Sequence, residues 1–448
     1  MTRDRGTRWT RKTSATILVV VLAVSFPQPS AAYAVLSHQA IIDAAWDASI
    51  KPLLLKRKPT ATQDELSEAQ AYAYGGAIIQ DMGYYPYGSH FFSDLTHYVR
   101  SGDFVEALLR DANDLDDYAF ALGAMAHYAA DNDGHRIGTN RAVPILYPKL
   151  RKKFGDSVAY EKDPLAHVKT EFGFDVLQVA RERYAPDGYH DFIGFEVAED
   201  LLNQAFRETY GLELKDVLLD EKKALSSYRH DVSKLIPKAT RIAWTLKKDE
   251  IKGDIPDMTR KRFLYNLSRS NYEREWGKDY RKPNLGEKLL AFLYRLLPKF
   301  GPLRVLQFRT PTPQTEQMFQ ASFNATLSRY HKLLEAVGDG HVDLPNYNFD
   351  VGEDTGPGIY GLNDDAHAKL LDKLAEEKFV GVSPDLRREL LLFFAQPSLP
   401  YATKRNAKAW ARVQSELEQL RTTSPAVTSA ESSQVNPPGA KTPLAVEP

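Results

Sequence analysis

The chain of 448 residues contains no cysteine. That absence excludes disulfides, thiolate metal sites, thiol nucleophiles and cysteine-linked lipid anchors together, so any metal must be held by nitrogen and oxygen. Excess charge is missing too: 58 Lys and Arg stand against 59 Asp and Glu, a formal net charge of -1. Such a balance gives no global basic field, and no stable nucleic-acid partner is expected. Period-two alternation between turn signals, the mark of half-buried strands, is not found either. Beyond the first thirty-odd residues no run approaches the roughly eighteen apolar residues that a membrane-spanning helix needs.

What is present begins with a short targeting pattern. Arg3, Arg5, Arg8, Arg11 and Lys12 form a basic head, Ile17 to Phe26 an apolar stretch, and Pro27 to Ala34 an end in small residues. This reads as a secretory signal over residues 1–32, cleaved after Ala32 or after Ala34. The expectation is an exported protein, periplasmic or secreted, with no transmembrane segment once the signal is removed.

Apolar residues then recur at three- and four-residue spacing over 38–55, 64–80, 93–111, 114–131, 164–184, 195–209, 222–248, 286–297, 314–337, 365–376, 384–395 and 402–421. The spacing predicts helices throughout and an all-α fold. A histidine-bearing region over 33–210 is followed by a helical extension over 211–422. Residues 423–448 are rich in Ser, Pro, Ala, Thr and Val, and read as a disordered tail. Within the extension, 260–309 carries thirteen Lys or Arg against four Asp or Glu. Leu289, Leu290, Phe292, Leu293, Leu296 and Leu297 lie there beside Lys288, Arg295 and Lys299, so this segment either packs an apolar face on the rest of the molecule or rests on an anionic membrane.

The chemistry concentrates in a few short strings. His127-Tyr-Ala-Ala-Asp131-Asn-Asp-Gly-His135 spaces three metal ligands four residues apart. On a helix, His127 and Asp131 share a face, while Asn132, Asp133 and Gly134 are expected to break the helix and let His135 swing back. His167 and Glu171 repeat the i,i+4 geometry on a second helix. Asp81 stands where the 64–80 helix ends, ahead of the aromatic loop Tyr84-Tyr85-Pro86-Tyr87, which is either a packed turn or a substrate wall. Ser89-His90-Phe91-Phe92 closes that loop, and His38 begins the first helix after the signal. Imidazole and carboxylate in this mixture suit zinc. The turn-rich stretch with Asn346-Tyr-Asn-Phe-Asp350 and Asp354-Thr-Gly-Pro-Gly-Ile-Tyr360 suggests no chemistry, its carboxylates reading as turn formers.

Taken together, these strings resemble the secreted zinc-dependent phospholipases C of bacteria over roughly residues 33–210. The blocks that carry the likeness are His38, Asp81 with Ser-His90-Phe-Phe, His127-x3-Asp131 with His135, and His167-x3-Glu171. The form His-x-Ala-Ala-Asp-x3-His and the later Phe172-Gly173-Phe174-Asp175 are closer still to glycosylphosphatidylinositol-specific phospholipase D, and zinc-dependent single-strand nucleases share the ligand logic. The resemblance implies three zinc ions. Asp81, His90, His127 and Asp131 would serve one, with Asp131 bridging to a second. His135, His167 and Glu171 would hold another. His38 and Asp131 would complete the last, together with the terminal amino and carbonyl groups of Tyr33 after cleavage at Ala32. His97 competes with His90 for one ligand place; the Ser-His-Phe-Phe match favours His90 and leaves His97 as a supporting or core residue.

A cluster of divalent ions with open positions suits hydrolysis of a phosphodiester by an activated water. The implied activity is cleavage of phospholipids, of C or D type, with a phospholipid or membrane-surface substrate and Asp81 as general base or simply as ligand. The alternatives are a zinc-dependent single-strand nuclease and an exported helical metal-binding protein without activity.

Overall fold

A computed structural model describes residues 34–180, 195–230 and 307–423. Sixteen helices follow one another among these residues. They are α1 (Val35–Ala45), α2 (Lys51–Arg57), α3 (Gln63–Gly76), α4 (His90–Tyr98), α5 (Ser101–Asp111), α6 (Leu115–Asp133), α7 (Asn140–Leu146) and α8 (Pro148–Phe154). The remainder are α9 (Pro164–Ala180), α10 (Glu199–Tyr210), α11 (Leu214–Val217), α12 (Glu221–His230), α13 (Pro313–Gly338), α14 (Gly361–Glu376), α15 (Pro384–Phe393) and α16 (Ala407–Thr422). Among the described residues no strand forms, only an isolated antiparallel bridge between Asn348 and Glu353. The fold is all-α.

Helix α6 is the axis of the molecule. Its run of Ala119, Ala121, Ala124, Ala126, Ala129 and Ala130 is buried on every side, which small side chains permit because they let neighbouring backbones come close. At Gly76 an added Cβ would stand 2.0 Å from the Phe120 carbonyl oxygen, and at Gly123 2.1 Å from that of Ala73. Glycine at both positions therefore sets the α3–α6 approach. Polar signals fix where these helices start. The Asp114 carboxylate accepts from the Asp116 and Asp117 amides, at 3.0 and 2.9 Å. Thr62 and Glu65 form a reciprocal capping box on α3.

The other face of α6 packs against α13, whose Tyr330 hydroxyl donates to the Leu122 carbonyl at 2.9 Å. Helix α14 lies on α4 and α16. Among the described residues one continuous cluster of buried apolar side chains runs from Val35 to Leu420.

Two predicted helices change at their joints. The 93–111 segment is two helices, α4 and α5, separated at Arg100, which adopts the left-handed region with φ 50°. And α6 does not break at Gly134, as expected from sequence, but continues into a π-helical turn over Gly134–Thr139. The reason is that Asn132 and Asp133 are engaged elsewhere. Asn132 Nδ2 donates to the Tyr128 carbonyl, and Asp133 binds Arg136 and Arg329. Gly134 then keeps right-handed helical angles, φ -61° and ψ -49°. The wider turn shifts the register that carries His135.

The signal segment read over 1–32, Tyr33, the tail beyond 423, the predicted helix 286–297 and nearly all of the basic stretch 260–309 lie outside the described residues. Among those described, no helix is long and apolar enough to cross a membrane.

Candidate metal centre

Five histidines and four carboxylates converge in the interior, and the helices fix one nitrogen of most of the imidazoles. His127 Nδ1 lies 3.0 Å from the Ala77 carbonyl, His97 Nδ1 2.8 Å from that of Ser93, and His167 Nε2 2.6 Å from that of Val158. A carbonyl only accepts, so each of these nitrogens carries a proton, and the opposite nitrogen points inward as the atom left to ligate.

Those inward atoms face carboxylate oxygens. Asp131 Oδ1 is 3.5 Å from His38 Nε2, and its Oδ2 is 3.3 Å from His127 Nε2 and 3.4 Å from His97 Nε2. Asp81 Oδ1 is 3.4 Å from the same His97 nitrogen. The His38 and His127 rings stack at 4.6 Å. In the second group His167 Nδ1 is 3.7 Å from Glu171 Oε1, and His135 lies beside them with its ring 5.7 Å from that of His167. Three triads, His38–His127–Asp131, Asp81–His97–His127 and His135–His167–Glu171, each bring their ligand atoms within 4.8 Å of one another.

Contacts of this length lie at the long edge of hydrogen bonding and match something else as well. Four ligands tetrahedrally disposed at zinc bond lengths stand about 3.4 Å apart. Asp81 Oδ1, both Asp131 oxygens, His97 Nε2, His127 Nε2, His135 Nδ1 and His167 Nδ1 are all buried without a hydrogen bond. So many unsatisfied polar atoms in one place would be costly in a purely structural core. The residues fit divalent metal.

The electrostatics agree. Burial pushes His135 down to about 3 and His167 to about 4, so both stay neutral and able to ligate. Burial also disfavours the charged form of Asp131, but His127, His97 and His38 override it and hold the carboxyl well below its usual range. At His97 burial pulls downward, and Asp131 with Asp81 overcome it and raise the imidazole to about 10. The field at that point selects positive charge.

Residues 37–219 match the family model of zinc dependent phospholipase C. The phospholipase C-like region thus contains all three triads, and the resemblance read from the motifs holds over this stretch. No curated protein and no solved structure was found to match the chain.

Within the phospholipase C-like region the structure brings together His38, Asp81, His127, Asp131, His135, His167 and Glu171. His90, preferred from the motif, is not among them: it is exposed at the first turn of α4, edge-on to the Tyr84 ring at 5.2 Å. His97 is buried in the centre. The two lie seven residues apart, on nearly the same helix face but about 10 Å apart along the axis, so only one of them reaches Asp81 and Asp131. The aromatic loop is mostly a packed turn, with Tyr84 and Tyr85 buried and Tyr87 half exposed. Asp175 supports the site from behind. It accepts from the Leu36 amide at 2.9 Å and from the Ser37 hydroxyl, holding the start of α1 where His38 follows.

Sequence reasoning missed Asp350. It is buried, and its Oδ1 lies 3.4 Å from His135 Nε2. The only signal in the chain was a carboxylate directly after an aromatic residue in a turn, which is also how ordinary turns read.

Proposed function

We propose that the protein is an exported zinc-dependent phosphodiesterase that hydrolyses phospholipids, with three ions held by the three triads. The carrying observation is the convergence of buried lone pairs at tetrahedral-edge spacing inside a region that matches zinc dependent phospholipase C. Export is supported by the basic and apolar pattern of the first thirty-odd residues.

Zinc bound there supplies Lewis-acid stabilisation of phosphoryl charge and a nucleophilic water usable near neutral pH. The chain's own groups do the rest. Asp131 is shared: Oδ1 serves the His38 side and Oδ2 the His97 and His127 side. The carbonyls of Ala77, Ser93 and Val158 orient the imidazoles and make them more basic ligands. Burial raises the Asp81 carboxyl, which favours its taking a proton from an attacking water. Asp81→Asn is therefore expected to cut turnover by about 100-fold or more while most zinc remains bound. Unchanged turnover would remove the base role.

Incubating zinc-loaded protein with phosphatidylcholine and following phosphorus NMR tests the reading. Phosphocholine marks C-type and phosphatidic acid D-type cleavage, and chelation should abolish either. Cleavage of single-stranded DNA with no lipid product would replace the proposal with a nuclease. No product from either substrate would reduce it to a metal-binding protein.

A further inference from the structure

His135 differs from the other three histidines whose second nitrogen is held. His97, His127 and His167 each rest that nitrogen on a backbone carbonyl. His135 turns it toward a carboxylate instead, with Asp350 Oδ1 at 3.4 Å, and Asp350 lies outside the family-matched residues 37–219. We propose that Asp350 is a positioning residue of the metal centre, contributed by the C-terminal half, which fixes the ring and tautomer of His135 so that Nδ1 ligates beside His167 and Glu171.

The surroundings of Asp350 are built for that task. Its Oδ2 accepts from both the Tyr98 hydroxyl, at 2.9 Å, and the Tyr360 hydroxyl. That occupies both lone pairs of Oδ2 and leaves Oδ1 to face His135 Nε2 at 3.4 Å. His135 Nδ1 is buried without a hydrogen bond, as a ligating atom would be.

The backbone is held as firmly. The Asp350 amide donates to Asn348 Oδ1 at 3.0 Å, and its carbonyl accepts from Asn140 Nδ2 at 2.7 Å. One residue earlier, the Phe349 amide donates to the carbonyl of His97 at 3.1 Å. The turn is thus bonded to helices from both sides of the centre, and the carboxylate cannot withdraw without breaking them. A carboxylate behind a ligating histidine raises its basicity and fixes its orientation, and loss of such a partner weakens metal binding about 10- to 100-fold.

The proposal rests on zinc ligation by His135. Full-length protein is equilibrated in zinc buffers of stepped free concentration, and bound zinc per chain is measured by elemental analysis. Asp350→Asn should release one ion about 10- to 100-fold more readily and leave the affinity of the others unchanged. Circular dichroism of the chelator-stripped variant checks that the fold persists. Wild-type affinity for every ion in Asp350→Asn, or an even weakening of all of them, would overturn the role of Asp350. Should that variant not fold, Tyr360→Phe decides, because it keeps the carboxylate and removes one of its two donors. The same single ion should then weaken by a smaller factor, and unchanged affinity would overturn the proposal. Failure of the wild-type protein to bind zinc would instead end the reading of the whole centre.

Discussion

At the scale of single residues, the centre is defined by which nitrogen of each histidine is free to ligate. The carbonyls of Ala77, Ser93 and Val158 settle this for His127, His97 and His167. That makes His97 the sharpest test of the geometry against the motif. His97→Ala should remove a ligand shared by Asp81 and Asp131, lowering zinc content and abolishing hydrolysis. His90→Ala should keep wild-type zinc, since its ring is exposed and meets Tyr84 rather than a carboxylate. Zinc analysis of the two purified variants separates them, and loss of zinc on changing His90 alone would reverse the assignment. The pairs His127–Asp131 and His167–Glu171 were legible in the sequence because both members of a pair lie on one face of one helix. His97 was ambiguous for the opposite reason. Its partners come from other elements, and local sequence does not say which end of α4 points inward.

At the scale of elements, the all-α class was legible because almost every helix carries an apolar stripe. The joints were not. The left-handed Arg100 between α4 and α5, and the π-helical turn after α6, depend on what the neighbouring side chains bind, such as Asp133 on Arg329. Least legible was the turn that presents Asp350, whose partners His97, Asn140 and His135 are remote in the chain. Gly352 seats that turn. It has φ +69°, and an added Cβ would stand 2.2 Å from the Asn132 carbonyl oxygen. Gly340, with φ +76° and nothing within 4 Å, is the natural control. Gly340→Ala should cost about 1 to 3 kcal/mol for the backbone conformation alone. Gly352→Ala should cost more, because the turn must also move off α6, and it should weaken zinc binding as well. Thermal unfolding with zinc titration measures both. Equal losses for the two variants, with zinc binding intact, would show that the close approach to α6 does not matter.

At the scale of the whole molecule, the continuous core means that a change in the last helix must be felt in global unfolding, not in a separable appendage. Glu416 on α16 offers a clean probe, because it lies outside all three metal triads. It is buried beside Asp372 of α14, and burial first and the Asp372 carboxylate second raise the Glu416 carboxyl from 4.5 to about 8, against the opposing pull of Arg412, which binds Asp372 at 2.8 Å. Two neighbouring carboxylates that share a proton cannot both ionise cheaply. The folded state therefore binds that proton more tightly than the unfolded chain does. Its contribution to stability is fully present below pH 4.5 and is lost as pH rises through about 8. Wild-type stability should accordingly fall between pH 6 and pH 9. Glu416→Gln keeps the shape and a donor toward Asp372 but has no proton to lose, so its fall over the same interval should be smaller. Other groups that titrate in this range, such as Asp94 and Asp175, both raised to about 7 by burial, contribute equally to both proteins and cancel in the difference. Denaturant midpoints of the two proteins at pH 6 and pH 9 give that difference directly. An equal fall in both would mean that the α14–α16 contact carries no shared proton.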